Sequence, residues 1–244
     1  MSMDLSYIIV TYNSADFIGS CLDSIDAQKS GDIKTEIIIV DNAATDSTVE
    51  IVRKQFPDVT LKENLENVGF ATAVNQAVSL AKGEYILLLN PDTIIKEHYI
   101  EKTFSFLQNT PDASILGVKL VDENNNHQPS TWKKISLLTI FIEMLFPYNI
   151  SIKLVTKTPD RPSRVQNVSG ACMLVRRDAF EKLNGFDTRF FLYYEEIDFC
   201  MRATQKGYKV YYNPDIEVRH FIAKSSSENR ESFFFNLYYN KLLF

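Results

Sequence analysis

Apolar residues near the N-terminus fall into short unbroken runs, separated by polar turns and by stretches of helical spacing. Leu5 to Tyr12 is β-branched and aromatic, as a strand buried on both faces requires. Asn13 or Ser14 then caps a predicted helix with the apolar stripe Phe17, Ile18, Cys21, Leu22 and Ile25. Glu36 to Val40 predicts a second buried strand, ending in Asp41-Asn42. Ser47-Thr48-Val49-Glu50 reads as a capping box opening a helix to about Phe56, which Pro57 closes. Val59-Thr60-Leu61 is a short third strand. Asn67-Val68-Gly69-Phe70 leads into a helix striped by Phe70, Ala73, Val74, Ala77 and Val78, with Gly83 as its expected stop. Tyr85 to Leu89 is a fourth strand, cut off by Asn90-Pro91-Asp92. Strands and helices alternating over short connections predict an α/β fold. Its sheet should be mostly parallel and Rossmann-like, with right-handed crossovers and helices on both faces.

The second half is less regular. A helix is predicted over Glu97–Leu107, a strand over Ile115–Val121 and a polar loop over Asp122–Pro129. Thr131 to Val155 is apolar, broken by Glu143, and Thr156 to Arg164 is a polar, proline-bearing loop. Val165 to Val175 has strand character around Gly170. Asp178 opens a short helix that Gly185 ends. Phe190 to Tyr194 leads into a helix beginning near Glu195 and stopped by Gly207, and Lys209–Tyr212 is a last strand.

Composition narrows the function classes. A 244-residue chain with 45% hydrophobic residues can bury a real core. A formal charge of −5 speaks against a nucleic-acid partner. Cys21, Cys172 and Cys200 lie far apart with no CxxC spacing, which argues against a zinc cluster or disulfide framework and fits a reducing compartment. Met1 to Ser6 has no signal-peptide pattern, and no apolar run reaches the roughly 18 residues of a transmembrane helix.

The chemistry gathers where strands end. Tyr12-Asn13, Asp41-Asn42 and Asn90-Pro91-Asp92 all follow apolar runs, and parallel strands bring such ends to one edge, where open α/β sheets bind ligands. Each cluster alone also reads as an ordinary turn or helix cap. No GxGxxG or GxxxxGK[ST] occurs. A carboxylate at Asp41 suits the imide N–H of a pyrimidine base. Asp92 suits Mg2+ or Mn2+, which favour oxygen ligands and share them with diphosphates. Glu195, Glu196 and Asp198 form an acidic helix start that the helix dipole favours, and Asp198 can pair with Arg202. The aromatic run Phe190–Tyr194 just before it could wall a sugar pocket, with one glutamate as proton acceptor. His220 is either structural or a metal ligand, with Lys224 or Arg230 available to neutralise phosphate.

In order along the chain, seven motifs carry a family resemblance: Ile9-Val10-Thr11-Tyr12-Asn13; Asp41-Asn42 with Asp46-Ser47-Thr48; Asn67-x-Gly69-Phe70-Ala71-x-Ala73-x-Asn75; Leu89-Asn90-Pro91-Asp92; Gly170-Ala171-x-Met173-Leu174-x-Arg176; Gly185-Phe186-Asp187; and Tyr194-Glu195-Glu196-Ile197-Asp198-Phe199-Cys200-x-Arg202. Together they resemble the family 2 glycosyltransferases of GT-A fold, nearest the bacterial rhamnosyltransferase-like members. The resemblance implies inverting transfer from a nucleotide-sugar donor. It implies that Thr11, Tyr12, Asn13, Asp41, Asn42, Gly69, Phe70, Asn75, Asn90 and Asp92 bind that donor, with Asp41 on the base. Asn90-Pro91-Asp92 would be a variant of the family's Asp-x-Asp motif, with Asn90 uncharged in its first place. Asp92 and His220 would hold the metal. Glu196 stands at the general-base position of a Glu-Asp motif, with Glu195 as its competitor for that role.

The expected organisation is one domain over residues 1–244. Residues 1–121 form the nucleotide-sugar half, 122–224 the smaller acceptor side, and 225–244 a C-terminal segment. The abrupt end at Leu242-Leu243-Phe244 is read as truncation of a segment that members often continue with basic and aromatic residues. Thr131–Val155 has two readings: a buried helix, or an apolar surface for a lipid-linked acceptor at the membrane face. The donor is expected to be a dTDP- or UDP-sugar, with rhamnose first. The acceptor is a glycan or lipid-linked hydroxyl in cell-surface polysaccharide synthesis, and the site of action is cytoplasmic, at the inner face of the membrane. Two other classes stand beside this one, a catalytically silent nucleotide-sugar-binding module and a sugar nucleotidyltransferase. The latter would want a Gly- and Lys-rich loop where Tyr12-Asn13-Ser14-Ala15 stands.

Overall fold

A computed structural model of the chain describes residues 3–28, 33–133, 154–156, 158–221 and 240. Most of the apolar stretch after Lys133, the loop position 157, Lys224, Arg230 and nearly all of the C-terminal segment lie outside the described residues.

The elements run β1 (Met3–Thr11), α1 (Ala15–Asp26), β2 (Thr35–Asp41), α2 (Thr48–Gln55), β3 (Thr60–Glu63), α3 (Phe70–Val78) and β4 (Gly83–Leu89). Then follow β5 (Thr93–Ile95), α4 (Tyr99–Asn109), β6 (Ala113–Val121), β7 (His127–Gln128), β8 (Ser163–Arg164), β9 (Cys172–Arg176), α5 (Arg177–Lys182), α6 (Glu195–Gln205) and β10 (Lys209–His220). The main sheet order is β3-β2-β1-β4-β9-β6-β10-β5, with β7 on β6 and β8 on β10. The first four strands pair in parallel, as their unbroken apolar runs require. β9 then enters antiparallel between β4 and β6, and β10 runs parallel to β6.

Alternation along the strands splits the core in two. Leu5, Tyr7, Ile9, Leu87, Leu89 and Leu174 pack with Ile18 and Leu22 of α1 and with Tyr99 and Leu107 of α4. Ile8, Val10, Ile86, Leu88, Met173 and Val175 face the other way, onto Val74 of α3, Phe180 of α5 and Phe199 of α6. Both faces are covered, so the strand ends are where the sheet remains open to a ligand.

Three local expectations change. Gly83 does not stop α3, which ends at Val78; it opens β4. A Cβ there would lie 2.6 Å from the Ser6 nitrogen, so the glycine is required by close strand approach. At the start of α2 the Ser47 side chain makes no cap hydrogen bond. Asp46 acts instead, accepting from the Thr48 N–H at 3.0 Å and from the Ala15 N–H of α1 at 3.0 Å. Finally, β10 does not end at Tyr212. Its register against β6 slips between Asn213 and Glu217, around Pro214, and pairing then resumes to Arg219. Lys96 and Lys119 both pair with Glu217 and tie this second half to its neighbours.

Candidate active site

The ends of β1 and β2 lie side by side because Thr11 and Asp41 are register partners. Thr11 Oγ1 donates to Asp41 Oδ1 at 2.7 Å, and the Ala44 N–H donates to Asp41 Oδ2 at 2.8 Å. The buried carboxylate is thereby held in one orientation. Asn42 extends the same edge, with Nδ2 donating to the Gly69 carbonyl at 3.3 Å and Oδ1 accepting from Asn64 Nδ2 at 2.9 Å. Asn13 takes a left-handed backbone (φ 49°), and its Oδ1 accepts from the Thr45 N–H at 2.8 Å. Tyr12 beside it is 47% exposed, which leaves its ring free to cover a ligand.

The fourth strand delivers the second cluster. Ile8 of β1 pairs with Leu88 of β4, so Asn90-Pro91-Asp92 follows just beyond, on the same edge. The Asn90 N–H donates to the Ala171 carbonyl at 3.0 Å, and Thr93 Oγ1 donates to the Asn90 carbonyl at 2.7 Å. The short β5 then pairs antiparallel with the end of β10, setting Thr93 opposite His220. This brings His220 Nε2 to 3.5 Å from Asp92 Oδ1, while the Phe221 N–H donates to the Asp92 carbonyl at 2.9 Å. A cavity of about 180 Å³ adjoins, lined by Asp16, Phe17, Ser20, Asp92, Thr93, Ile94 and Phe221. Phe17, expected in the core stripe of α1, is only partly buried and its ring lies 5.8 Å from that of Phe221. A larger cavity of about 660 Å³ lies between β5, α4 and β10 and touches none of the expected site residues. Two of its cations are engaged, Lys96 with Glu217 and Lys102 with the Asp215 carbonyl.

The third cluster is the start of α6. Tyr193 and Tyr194 both have left-handed backbones (φ 73° and 74°), at a cost of about 1–3 kcal/mol each for residues with a side chain. The Asn240 side-chain amide donates to the carbonyls of Leu192 and Tyr193, both at 2.8 Å, and holds this turn from the C-terminal segment. The turn is also pinned to the nucleotide side. The Phe70 N–H at the start of α3 donates to the Phe191 carbonyl at 2.7 Å, and a Cβ on Gly69 would meet Phe191 at 2.8 Å.

Glu195 is buried and Glu196 is partly buried. Each leaves its Oε2 without a hydrogen-bond partner among the described residues. Burial, reinforced by the charge of Glu196, pushes the Glu195 carboxyl well above the usual range. Burial also pushes Glu196 up to about 7, although backbone N–H groups at the helix start oppose it. Glu196 packs over Gly170, whose added Cβ would sit 3.5 Å from the Glu196 Cβ. Gly170 neighbours Ala171, the residue that holds Asn90, so the segment before β9 is in contact with both the acid and the metal-type turn. Asp198 belongs to the scaffold: it pairs with Arg202 at 2.6 Å, and Arg202 also donates to the carbonyls of Leu183 and Gly185.

Of the expected residues, Asn75 stands apart. Its Nδ2 donates to the Phe186 carbonyl at 2.8 Å and its Oδ1 accepts from the Phe186 N–H at 2.9 Å, so both ends of the amide serve to clamp α3 to the turn after α5. Gln128 and Asn240 escaped sequence reading. Neither lies in a periodic segment, and nothing local marks a glutamine or an asparagine whose partners are remote in sequence.

Among the described residues no group of three or more His, Cys, Asp or Glu side chains converges as a metal cage. Asp92 and His220 supply one carboxylate oxygen and one imidazole nitrogen. That set fits a divalent ion such as Mn2+ that takes its other ligands from a diphosphate and water.

The mixed sheet with helices on both faces is a GT-A fold. The chain belongs to glycosyl transferase family 2, whose description matches residues 6–184. It is 27% identical to an N-acetylglucosaminyl-diphospho-decaprenol L-rhamnosyltransferase of Mycobacterium tuberculosis, over 93% of this chain and 79% of the relative. It is also 27% identical to rhamnosyltransferase WbbL of Escherichia coli, over 93% and 85% of the two chains. Among solved structures, a mannosyltransferase of Pyrobaculum calidifontis in complex with GDP-Man and Mn2+ superposes with a TM-score of 0.62 at 23% identity. That likeness covers 92% of this chain and 59% of the mannosyltransferase, so the chain spans less than two thirds of that protein.

Proposed function

We propose that the chain is an inverting, divalent-metal-dependent glycosyltransferase. It moves a sugar, first of all rhamnose, from a dTDP- or UDP-sugar to a hydroxyl of a glycan or lipid-linked acceptor in cell-surface polysaccharide synthesis. The observation that carries this reading is the convergence of three clusters: the Thr11–Asp41 edge, the Asp92–His220 pair and the Glu195–Glu196 helix start, the last two bridged by Gly170-Ala171. Residues 1–121 serve the donor and 122–224 the acceptor.

In this mechanism Asp41 accepts the imide N–H of the base, and Tyr12 and Asn13 border the nucleoside. Asp92 and His220 would hold a divalent metal, which would offset charge on the leaving diphosphate. Glu196 takes the proton of the acceptor hydroxyl as its oxygen attacks the anomeric carbon from the face opposite the diphosphate. The bond to the diphosphate breaks as the new glycosidic bond forms, which inverts the anomeric centre. The turn at Tyr193-Tyr194 fixes where Glu196 stands, so the base is placed before the acceptor arrives. Thr131–Val155 is assigned to the acceptor side at the inner face of the membrane. No helix among the described residues is long and apolar enough to cross a membrane.

A crystal soaked with UDP or dTDP and Mn2+ tests the reading. The diphosphate is expected beside Asp92, with the base at Asp41. A diphosphate bound elsewhere overturns it.

A further inference from the structure

Gln128 belongs to neither the donor-facing nor the acid cluster, yet it is buried and its amide is spent entirely on one residue. Its Nε2 donates to the main-chain carbonyl of His220 at 2.8 Å, and its Oε1 lies 2.9 Å from His220 Nδ1. The first contact orients the amide, because a carbonyl only accepts and must face the NH2 group. The oxygen end then faces Nδ1, and an amide oxygen also only accepts, so Nδ1 carries the hydrogen. The opposite tautomer would set a bare Nδ1 against Oε1. Flipping the amide to relieve that would set Oε1 against the His220 carbonyl. Either way two acceptors would face each other at hydrogen-bond distance. In the neutral ring Nε2 is therefore the bare nitrogen; it lies 3.5 Å from Asp92 Oδ1, farther than the 2.9 Å contact at Nδ1, and a cation between these two acceptors would satisfy both.

The position of Gln128 is itself built in. It lies on β7, in register with Leu120 of β6. Its carbonyl accepts from Ser130 Oγ at 3.0 Å, and that oxygen accepts from the Leu120 N–H at 3.1 Å. Gln128 thus reads His220 from a rigid strand pair rather than from a loose loop.

We propose that Gln128 is a positioning residue that locks His220 in the Nδ1–H tautomer and so presents Nε2, beside Asp92, to a divalent cation. The purpose of the lock rests on the reading of Asp92 and His220 as the metal-holding pair. The tautomer is a property of the metal-free protein and can be measured separately.

The experiment uses the full chain labelled with ¹⁵N-histidine. Long-range ¹H–¹⁵N correlation at about pH 8, where an ordinary imidazole is neutral, reports which ring nitrogen is bare. His220→Ala assigns the signal. Mn2+ affinity is measured in parallel by electron paramagnetic resonance. The wild type is expected to show a bare Nε2. Gln128→Met, which keeps volume but not the amide, is expected to lose that tautomer preference and to bind Mn2+ roughly 10–100-fold more weakly. A bare Nδ1 in the wild type overturns the proposal, even if the methionine variant does not fold. A folded methionine variant with wild-type tautomer and affinity overturns it equally. If His220→Ala binds Mn2+ as tightly as the wild type, the metal reading fails and the purpose of the lock falls with it, whichever tautomer is seen.

Discussion

Glu195 and Glu196 are adjacent acids with unlike settings. Glu195 is 4% exposed, whereas Glu196 lies partly open over Gly170. On the proposed reading Glu196 is the acid assigned to the acceptor hydroxyl, and its raised proton affinity suits a base that must pick up a proton near neutrality. Glu196→Gln is expected to lower transfer by about 10²–10⁴-fold while nucleotide binding, read by calorimetry, stays near wild type. With Glu196 pushed up to about 7, the wild-type rate should rise as pH climbs through that value and level off above it. Glu195 has a different signature. Burial lifts it above the ordinary value of 4.5, so the folded state keeps a proton that the unfolded chain has released. The stabilisation from that proton is complete below the unfolded value and is lost as pH rises through the folded one. Glu195→Gln is always neutral. In thermal melts it should gain about 1–3 kcal/mol over the wild type near pH 8, and the gain should vanish near pH 4.

At the scale of elements, remote contacts decide where the acids, Asp92 and His220 stand. α3 is clamped to the Gly185-Phe186 turn by Asn75, and the oxygen of that amide would lie 2.4 Å from a Cβ on Gly185. Gly185 also has φ +67°, so both sterics and backbone require glycine there. Asn75→Ala removes two hydrogen bonds and is expected to lower stability by about 1–3 kcal/mol, measured by urea midpoint. Because both ends of the amide are engaged, UDP affinity should stay within about threefold of wild type. A larger loss would return Asn75 to the donor contacts that the family resemblance implies. β10 shows the same dependence on partners. Pro214 reads locally as the end of a strand, yet the bulge around it lets pairing with β6 resume and carries His220 to β5.

For the whole molecule, the mixed sheet has helices on both faces, and the proposed site lies at the strand ends and on the start of α6. Residues 134–153 of the apolar stretch lie outside the described residues, and their membrane reading is tested in solution. If that stretch meets a membrane, the chain should float with liposomes. Replacing Leu138 and Phe141 together by Ser should then abolish flotation while leaving the thermal midpoint within a few degrees. Unchanged flotation in that double variant, or none in the wild type, removes the membrane from the acceptor side.

The sequence by itself determined the strands β1, β2 and β4, the stripes of α1 and α3 apart from Phe17 and Phe70, which are only partly buried, and the placing of Tyr12-Asn13, Asp41 and Asp92 at strand ends on one edge. Those features are local: period, apolar runs and turn residues are set by near neighbours, and parallel strands share a direction. Tertiary structure decided the antiparallel entry of β9, the existence of three-residue β5, the continuation of β10 past Pro214, and the contacts of Gln128 and Asn240. Strand order, bulges and single buried amides depend on groups far away in the chain. They acquire their meaning only when pairing brings those groups within hydrogen-bond reach.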